Sequence, residues 1–213
     1  KNPTGIHKDR MAWEIVVTYK DILEAIDRCE REMLPGMSIL STGNAALAIQ
    51  TMLRKYQLPD LSVLVDGSTD PRVIDYLQQR GCKVFTTNLS ERMFLSEDIL
   101  KSTKNIGGMD ITSGRGFHPL ERYYDWFSYE VLNASPDYVI VPYGTGDLFG
   151  NVITIGAKEV SADKHDPRFQ GRVDKLRNCN FIGAKTGNSK TKAYHLYAAH
   201  LPFEHVGREI IES

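Results

Sequence analysis

The apolar positions of this chain switch repeatedly between a helical and a strand period. From His7 onward, Met11, Ile15, Ile22, Ile26, Cys29 and Met33 recur at steps of four, seven, four, three and four, which predicts an amphipathic helix. Leu34-Pro35-Gly36 closes it, because neither Pro nor Gly extends a helix cheaply. The apolar run 37–40 reads as a short strand. A helix follows over 45–56, with Ala48, Ile49, Met52 and Leu53 on its apolar side. The pattern then predicts a strand over 61–65 and a helix opened by Asp70-Pro71 and closed by Arg80-Gly81. A strand over 82–87 and a helix over 90–100 come next. Residues 101–119 are rich in Gly, Ser and Thr and lack a period, so they read as a long loop or a domain crossover. An aromatic-rich helix over 120–132 leads to a strand over 137–142, a Gly-rich turn over 143–146 and a helix over 149–160. A polar loop over 161–171, a strand over 180–184 and a helix opened by Thr186-Gly187-Asn188-Ser189 complete the reading. Strands and helices in alternation, with near-continuous apolar strands, predict an α/β protein built on parallel sheets covered by helices.

Composition narrows the function classes. The 213 residues carry 26 Lys+Arg against 27 Asp+Glu, a net charge of −1, with 41% hydrophobic and 25% charged residues. That balance fits an ordinary folded chain and gives no basic excess for nucleic acid. No apolar run approaches the roughly 18 residues of a membrane span. Cys29, Cys82 and Cys179 form no Cys-x-x-Cys pair and fit a reducing, cytoplasmic compartment. The six His fall singly, so no metal site is expected. The sequence opens at Lys1 and closes at Ser213 without a leader or a closing signal, and reads as a piece of a longer polypeptide.

In parallel α/β sheets, ligands gather at the carboxyl ends of strands, where free helix amides attract anions. Two junctions fit that role: Ser41-Thr42-Gly43-Asn44 and Gly144-Thr145-Gly146-Asp147-Leu148-Phe149-Gly150. Glycine permits close backbone approach and hydroxyls add donors, although ordinary helix capping uses the same residues. The second junction reads G-x-G-x-x-x-G, which misses the dinucleotide fingerprint, and the strand after it ends in Lys185 rather than an acid. Lys8 stands near a helix start, where the dipole disfavours a cation and favours the neutral amine that imine chemistry requires. A solvated lysine on an exposed turn has the same spacing.

Three segments together resemble a known family. Asn2-Pro3-Thr4-Gly5-Ile6-His7-Lys8-Asp9-Arg10 is similar to the lysine motif of the pyridoxal-phosphate enzymes of the tryptophan-synthase β-subunit type. Ser41-Thr42-Gly43-Asn44-Ala45-Ala46 resembles their asparagine loop. The run from Val141-Pro142-Tyr143-Gly144 to Gly150-Asn151 resembles their phosphate loop. The family includes threonine synthases, cysteine synthases and serine/threonine dehydratases. The Pro-Thr-Gly turn and Phe149-Gly150-Asn151 look most like threonine synthase.

The resemblance implies a two-domain fold of type II that lacks its N- and C-terminal parts. Residues 37–116 would form a small mobile domain, and 1–36 with 117–213 would be parts of the larger cofactor-binding domain. It implies a pyridoxal 5'-phosphate-dependent lyase acting on an amino acid by elimination or replacement, as in the conversion of O-phosphohomoserine to threonine. Lys8 would form the imine with the cofactor and Asn44 would bond its ring hydroxyl. Gly144, Thr145, Gly146, Asp147 and Leu148 would hold its phosphate. Ser41, Thr42 and Gly43 would hold the substrate carboxylate. Family members commonly pair into homodimers.

The match has departures. The usual Ser-Phe before the lysine reads Ile6-His7, and Asp147 falls where many members have Gly or Asn. A carboxylate is unfavourable beside a phosphate, so Asp147 is expected to turn away or cap the helix. The family's partner for the pyridine nitrogen is not found before Ser213. A β-replacing or dehydrating enzyme, a noncatalytic truncated remnant and a nicotinamide oxidoreductase stay open as alternatives. His7 and His118 are candidate proton-transfer groups, and Arg115, Lys185, Lys190 and Lys192 are candidate anion ligands. Tyr123, Tyr124, Trp126, Phe127 and Tyr129 read as packing on their helix more readily than as a pocket lining.

Overall fold

The computed structural model describes residues 2–27, 35–41, 43–112, 123–143, 146–163 and 170–184. Within them the chain forms two compact units, residues 1–123 and 124–213.

The first unit is a four-stranded parallel sheet. Its strands are β1 (Met37–Leu40), β2 (Ser62–Asp66), β3 (Lys83–Thr87) and β4 (Met109–Asp110), in the order β3-β2-β1-β4. The register pairs Ile39 with Val63, Val63 with Val84, and Ser38 with Asp110. β1 is buried along its whole length and β2 along all but Asp66, as expected for strands covered on both faces. Parallel strands need a crossover, and α2 (Asn44–Lys55) and α3 (Pro71–Gln79) supply two of them. α3 starts as its sequence predicts. Pro71 occupies the first turn and the Asp70 carboxylate accepts the Arg72 N–H at 2.9 Å. α1 (Lys8–Asp27) packs along α2, and its buried side is made of Met11, Ala12, Ile15, Val16, Tyr19 and Leu23. Of the predicted stripe, Met11 and Ile15 are buried and Ile22 is half-buried, while Cys29 and Met33 lie outside the described residues. The Tyr19 hydroxyl donates to the Pro35 carbonyl at 2.8 Å and ties α1 to the entry of β1.

Two expectations shift in this unit. The helix expected over 90–100 is α4, Ser96–Ser102. The Leu89 N–H is taken by Asp66 Oδ2 and the Ser90 N–H by Asn88 Oδ1, while Asp98 Oδ2 accepts the Leu95 N–H at 3.1 Å. Those side chains hold 88–95 in turn and extended form and start the helix at Ser96. Part of the expected loop 101–119 is the strand β4. A polar cluster secures it. Asn105 Nδ2 donates to the Gly36 carbonyl and to Ser38 Oγ, and Ser38 Oγ meets Thr103 Oγ1 at 2.8 Å.

The second unit pairs β5 (Tyr138–Pro142) with β6 (Asn180–Ala184) in parallel, Val139 opposite Phe181 and Val141 opposite Gly183. α5 (Asp125–Asn133) packs on α6 (Asp147–Asp163), and α6 on α7 (Gln170–Arg177). α7 was not expected, because its buried apolar side is only Val173 and Leu176 amid charged neighbours. β5 alternates in burial, with Val139 and Val141 inward and Tyr138 and Ile140 exposed, so it is not the doubly buried strand its apolar run implies. The last predicted helix lies outside the described residues. Among the described residues no helix is long and apolar enough to cross a membrane.

Gln50 fastens α2 to β2. It is fully buried, its Oε1 accepts the Leu61 N–H at 2.8 Å, and its Nε2 donates to Asp60 at 2.6 Å. Gln50→Ala leaves the buried Leu61 N–H unpaired and is expected to destabilise the fold by about 1–3 kcal/mol. Urea unfolding should show a lower midpoint at an unchanged slope.

Candidate active site

Lys8 is the first residue of α1 and is half-buried. The turn before it is built by Pro3, Thr4 and Gly5. The Gly5 N–H donates to the Asn2 carbonyl at 3.1 Å, with Gly5 at φ 80°, a conformation glycine adopts without strain. The Asp9 N–H then donates to the Ile6 carbonyl and the Arg10 N–H to the His7 carbonyl, which leads the chain into the helix. The Asp9 side chain, 3% exposed, accepts the Thr4 N–H at 2.9 Å and the Thr4 hydroxyl at 2.6 Å.

His7 is half-buried beside this turn. Burial first, and the neighbouring Lys8 charge second, lower its pKa from 6.5 to about 4. The imidazole is therefore neutral at physiological pH.

Ser41, Gly43 and Asn44 come together on one turn at the carboxyl end of β1. The Ser41 N–H continues the sheet ladder to the Leu64 carbonyl at 3.1 Å, and Ser41 Oγ accepts the Gly43 N–H at 3.2 Å. Gly43 sits at φ 130°, so the reversal into α2 requires glycine. Among the described residues no side chain caps α2, so its first amides have no side-chain acceptor there. Asn44 is exposed, and its side chain has no hydrogen-bond partner among the described residues. The Ser41 hydroxyl proton likewise has no acceptor there, so it is available to donate. Thr42 lies outside the described residues.

The resemblance puts the run 110–115 in a loop near the substrate without singling out Thr112, which lies beside this turn. Its hydroxyl accepts the Leu40 N–H at 2.9 Å and donates to Asp110 Oδ1 at 2.5 Å, while Asp110 Oδ2 accepts from Ser96. Thr112 thus ends β1 one residue before Ser41. A lone Thr in a Gly- and Ser-rich stretch gives no signal of this, since the partner strand is remote in sequence.

In the second unit, Gly146 lies between β5 and α6 at φ 89°, with its carbonyl accepting the Gly150 N–H at 2.8 Å. Asp147 and Leu148 begin α6, two residues earlier than the pattern predicts. Gly144 and Thr145 lie outside the described residues. Tyr143 anchors the turn. Its N–H donates to the Ala184 carbonyl at 2.8 Å and its ring packs edge-on to Phe149 at 5.4 Å. A Cβ on Gly183 would come within 2.7 Å of that ring, so the ring fits only over glycine. Burial first, and then the Asp147 carboxylate, raise the Tyr143 pKa, which puts the Asp147 charge within electrostatic reach of the phenol. Asn151 holds α6 to α5, donating to Asp125 at 2.7 Å and accepting from Ser128 at 2.5 Å.

Arg115, His118, Lys185, Lys190 and Lys192 lie outside the described residues. Tyr123 and Tyr124 are buried, the former donating to the Ile111 carbonyl at 3.2 Å, whereas Trp126 and Tyr129 are exposed.

No family model matches the sequence, and no curated protein matches it. Solved structures do. A pyridoxal 5'-phosphate-dependent aspartate racemase aligns with a TM-score of 0.54 at 20% identity, over 74% of this chain and 45% of its own. The processed form of threonine deaminase isoform 2 from Solanum lycopersicum aligns at 0.51 and 16%, over 91% and 49%. The O-acetylserine dependent cystathionine β-synthase of Helicobacter pylori aligns at 0.55 and 14%, over 89% and 56%. The chain spans about half the length of the structures it matches. The likeness is one of fold, and it is the parallel α/β fold expected from the three motifs.

The His7 environment has a measurable consequence. Between pH 6.5 and about 4 the unfolded chain binds a proton at His7 that the folded chain does not. This contribution therefore destabilises the fold as the pH drops through that window and levels off below it. Melting temperatures measured across the window should fall less steeply for His7→Gln than for the wild type.

Proposed function

We propose that this chain is a pyridoxal 5'-phosphate-dependent lyase that acts on an amino acid by elimination or replacement, in the manner of threonine synthase on O-phosphohomoserine. The observation that carries the reading is positional. Each of the three motifs opens a helix, and two of them do so at the carboxyl end of a parallel strand. Lys8 begins α1, Asn44 begins α2 behind the Ser41–Gly43 turn, and Gly146 precedes α6.

The donor set suits the cofactor's chemistry. Lys8 is a primary amine at a turn fixed by hydrogen bonds on both sides. Asn44 offers an amide that has no partner among the described residues, and it would bond the ring hydroxyl. The backbone from Gly144 to Leu148, with the Thr145 hydroxyl, would form the phosphate cradle at the amino end of α6. The Asp147 side chain, whose charge reaches Tyr143, is not assigned to the phosphate. Ser41, Thr42 and Gly43 would receive the substrate carboxylate, with the free Ser41 hydroxyl proton and the uncapped amides of α2 as donors.

When bound, the cofactor supplies an electron sink for negative charge at the substrate α-carbon. Lys8 would hold it through its aldehyde, and the Lys8 amine would take the substrate α-proton. Ser41, Thr42 and Gly43 would orient the substrate so that this proton faces the amine. The leaving group would be phosphate in the threonine-synthase reading. A β-replacing or dehydrating reaction on serine derivatives or threonine is the second reading, favoured by the fold likeness to threonine deaminase and cystathionine β-synthase. On this reading residues 37–116 would act as a small mobile domain and 1–36 with 117–213 as the cofactor-binding one. Within the first compact unit α1 packs against α2. Two copies would pair, in a cytoplasmic setting.

A visible spectrum with pyridoxal 5'-phosphate, taken before and after borohydride and followed by peptide mapping, tests the proposal. Attachment at Lys8 is expected, and Lys8→Ala should abolish the covalent absorbance. An unchanged band in that variant would overturn the reading. Turnover of O-phosphohomoserine against threonine and serine derivatives separates the two readings.

A further inference from the structure

We infer that Asp9 is the positioning residue for Lys8, an inference that rests on the function proposed above. Asp9 is 3% exposed, and both hydrogen-bond donors of Thr4 end on its one carboxylate, the N–H on Oδ2 at 2.9 Å and the hydroxyl on Oδ1 at 2.6 Å. These bonds close the segment 4–9 into a loop, and Lys8 lies inside it. The rest of that loop has little freedom. Gly5 turns the chain at φ 80° with its N–H on the Asn2 carbonyl, and the Asp9 N–H returns to the Ile6 carbonyl at 3.2 Å.

The direction in which the Lys8 side chain leaves the backbone is therefore set from both ends, by the helix that follows and by the clamp that spans it. A carboxylate in the first helical turn is also where the helix dipole stabilises negative charge, which strengthens the acceptor. Removing the clamp frees the turn while leaving the sheet and the buried side of α1, Met11, Ala12, Ile15 and Val16, in place. Geometry carries the effect, more than charge. An Asn side chain at this position has an oxygen for the Thr4 N–H and an amide to donate to the Thr4 hydroxyl, so it preserves both links.

Two rates on the 213-residue chain test this. One is attachment of pyridoxal 5'-phosphate to Lys8, fixed with borohydride and read by peptide mass. The other is modification of Lys8 by an amine-selective reagent in the cofactor-free protein. A small displacement of a reacting group costs up to about a hundredfold, so Asp9→Ala should slow attachment by about ten- to a hundredfold and Asp9→Asn by no more than about threefold. A merely structural role would lower the melting temperature of Asp9→Ala and leave the rates of the folded protein unchanged. Thr4→Val removes only the hydroxyl link and serves if Asp9→Ala does not fold. Equal rates at Lys8 in wild type and in these variants would overturn the inference. A wild type that forms no adduct at Lys8 would instead overturn the proposed function, and the amine-reagent rates would still report on Asp9.

Discussion

Parallel strands cannot be joined by a tight turn, and that constraint organises this molecule. Each parallel neighbour requires a long crossover, and in this chain helices lie in those crossovers. A helix that follows a strand's carboxyl end begins with amides that have no intrahelical acceptor. Such ends therefore gather beside the edges where ligands of α/β sheets bind. Ser41 to Asn44 and Gly146 to Leu148 occupy two of these positions. Their glycines at φ 130° and 89° let the backbone reverse there. The chemistry proposed for the chain follows from the connection rule together with the choice of residues at the junctions.

Buried and half-buried polar side chains hold the sheet in register. Gln50 seals the start of β2, and Ser38, Thr103 and Asn105 bind β4 and the end of α4 to β1. Thr112 completes the last amide of β1. Each is satisfied by a partner on another element, which is what makes a polar group tolerable inside a core. The arrangement also carries a functional consequence. The strand end that presents Ser41 is held from both sides, by the β2 ladder and by Thr112, so the turn beyond it starts from a fixed point. In the second unit, Tyr143 over Gly183 and Asn151 between Asp125 and Ser128 do the same for the turn into α6.

The parts of this protein legible in its sequence are those set by local pattern. The alternation from β1 to β3, the Asp70-Pro71 helix start and the doubly buried β1 follow from short-range spacing and from residue conformational limits. The position of the motif residues at helix starts was legible as well, because a strand-to-helix turn at positive φ calls for glycine, here Gly43 and Gly146. Other features depended on contacts distant in sequence. β4 is two residues long and exists only through its pairing with β1. α7 shows two buried apolar side chains, too few to raise a period above its charged neighbours. The late start of α4 depends on Asp66, a residue of β2 that claims the Leu89 amide. Tyr138 and Ile140 read as core residues from their apolar run, yet they stand on the exposed face of β5. The sequence alone determined which residue types stand at the helix starts, since those are chosen by backbone conformation and hydrogen-bond chemistry within a few residues. Only the tertiary structure decided what holds them there. The Leu40 N–H, for instance, is taken by the Thr112 hydroxyl, 72 residues further along the chain, because a polar group at the end of a covered strand must pair with whichever partner the fold brings near.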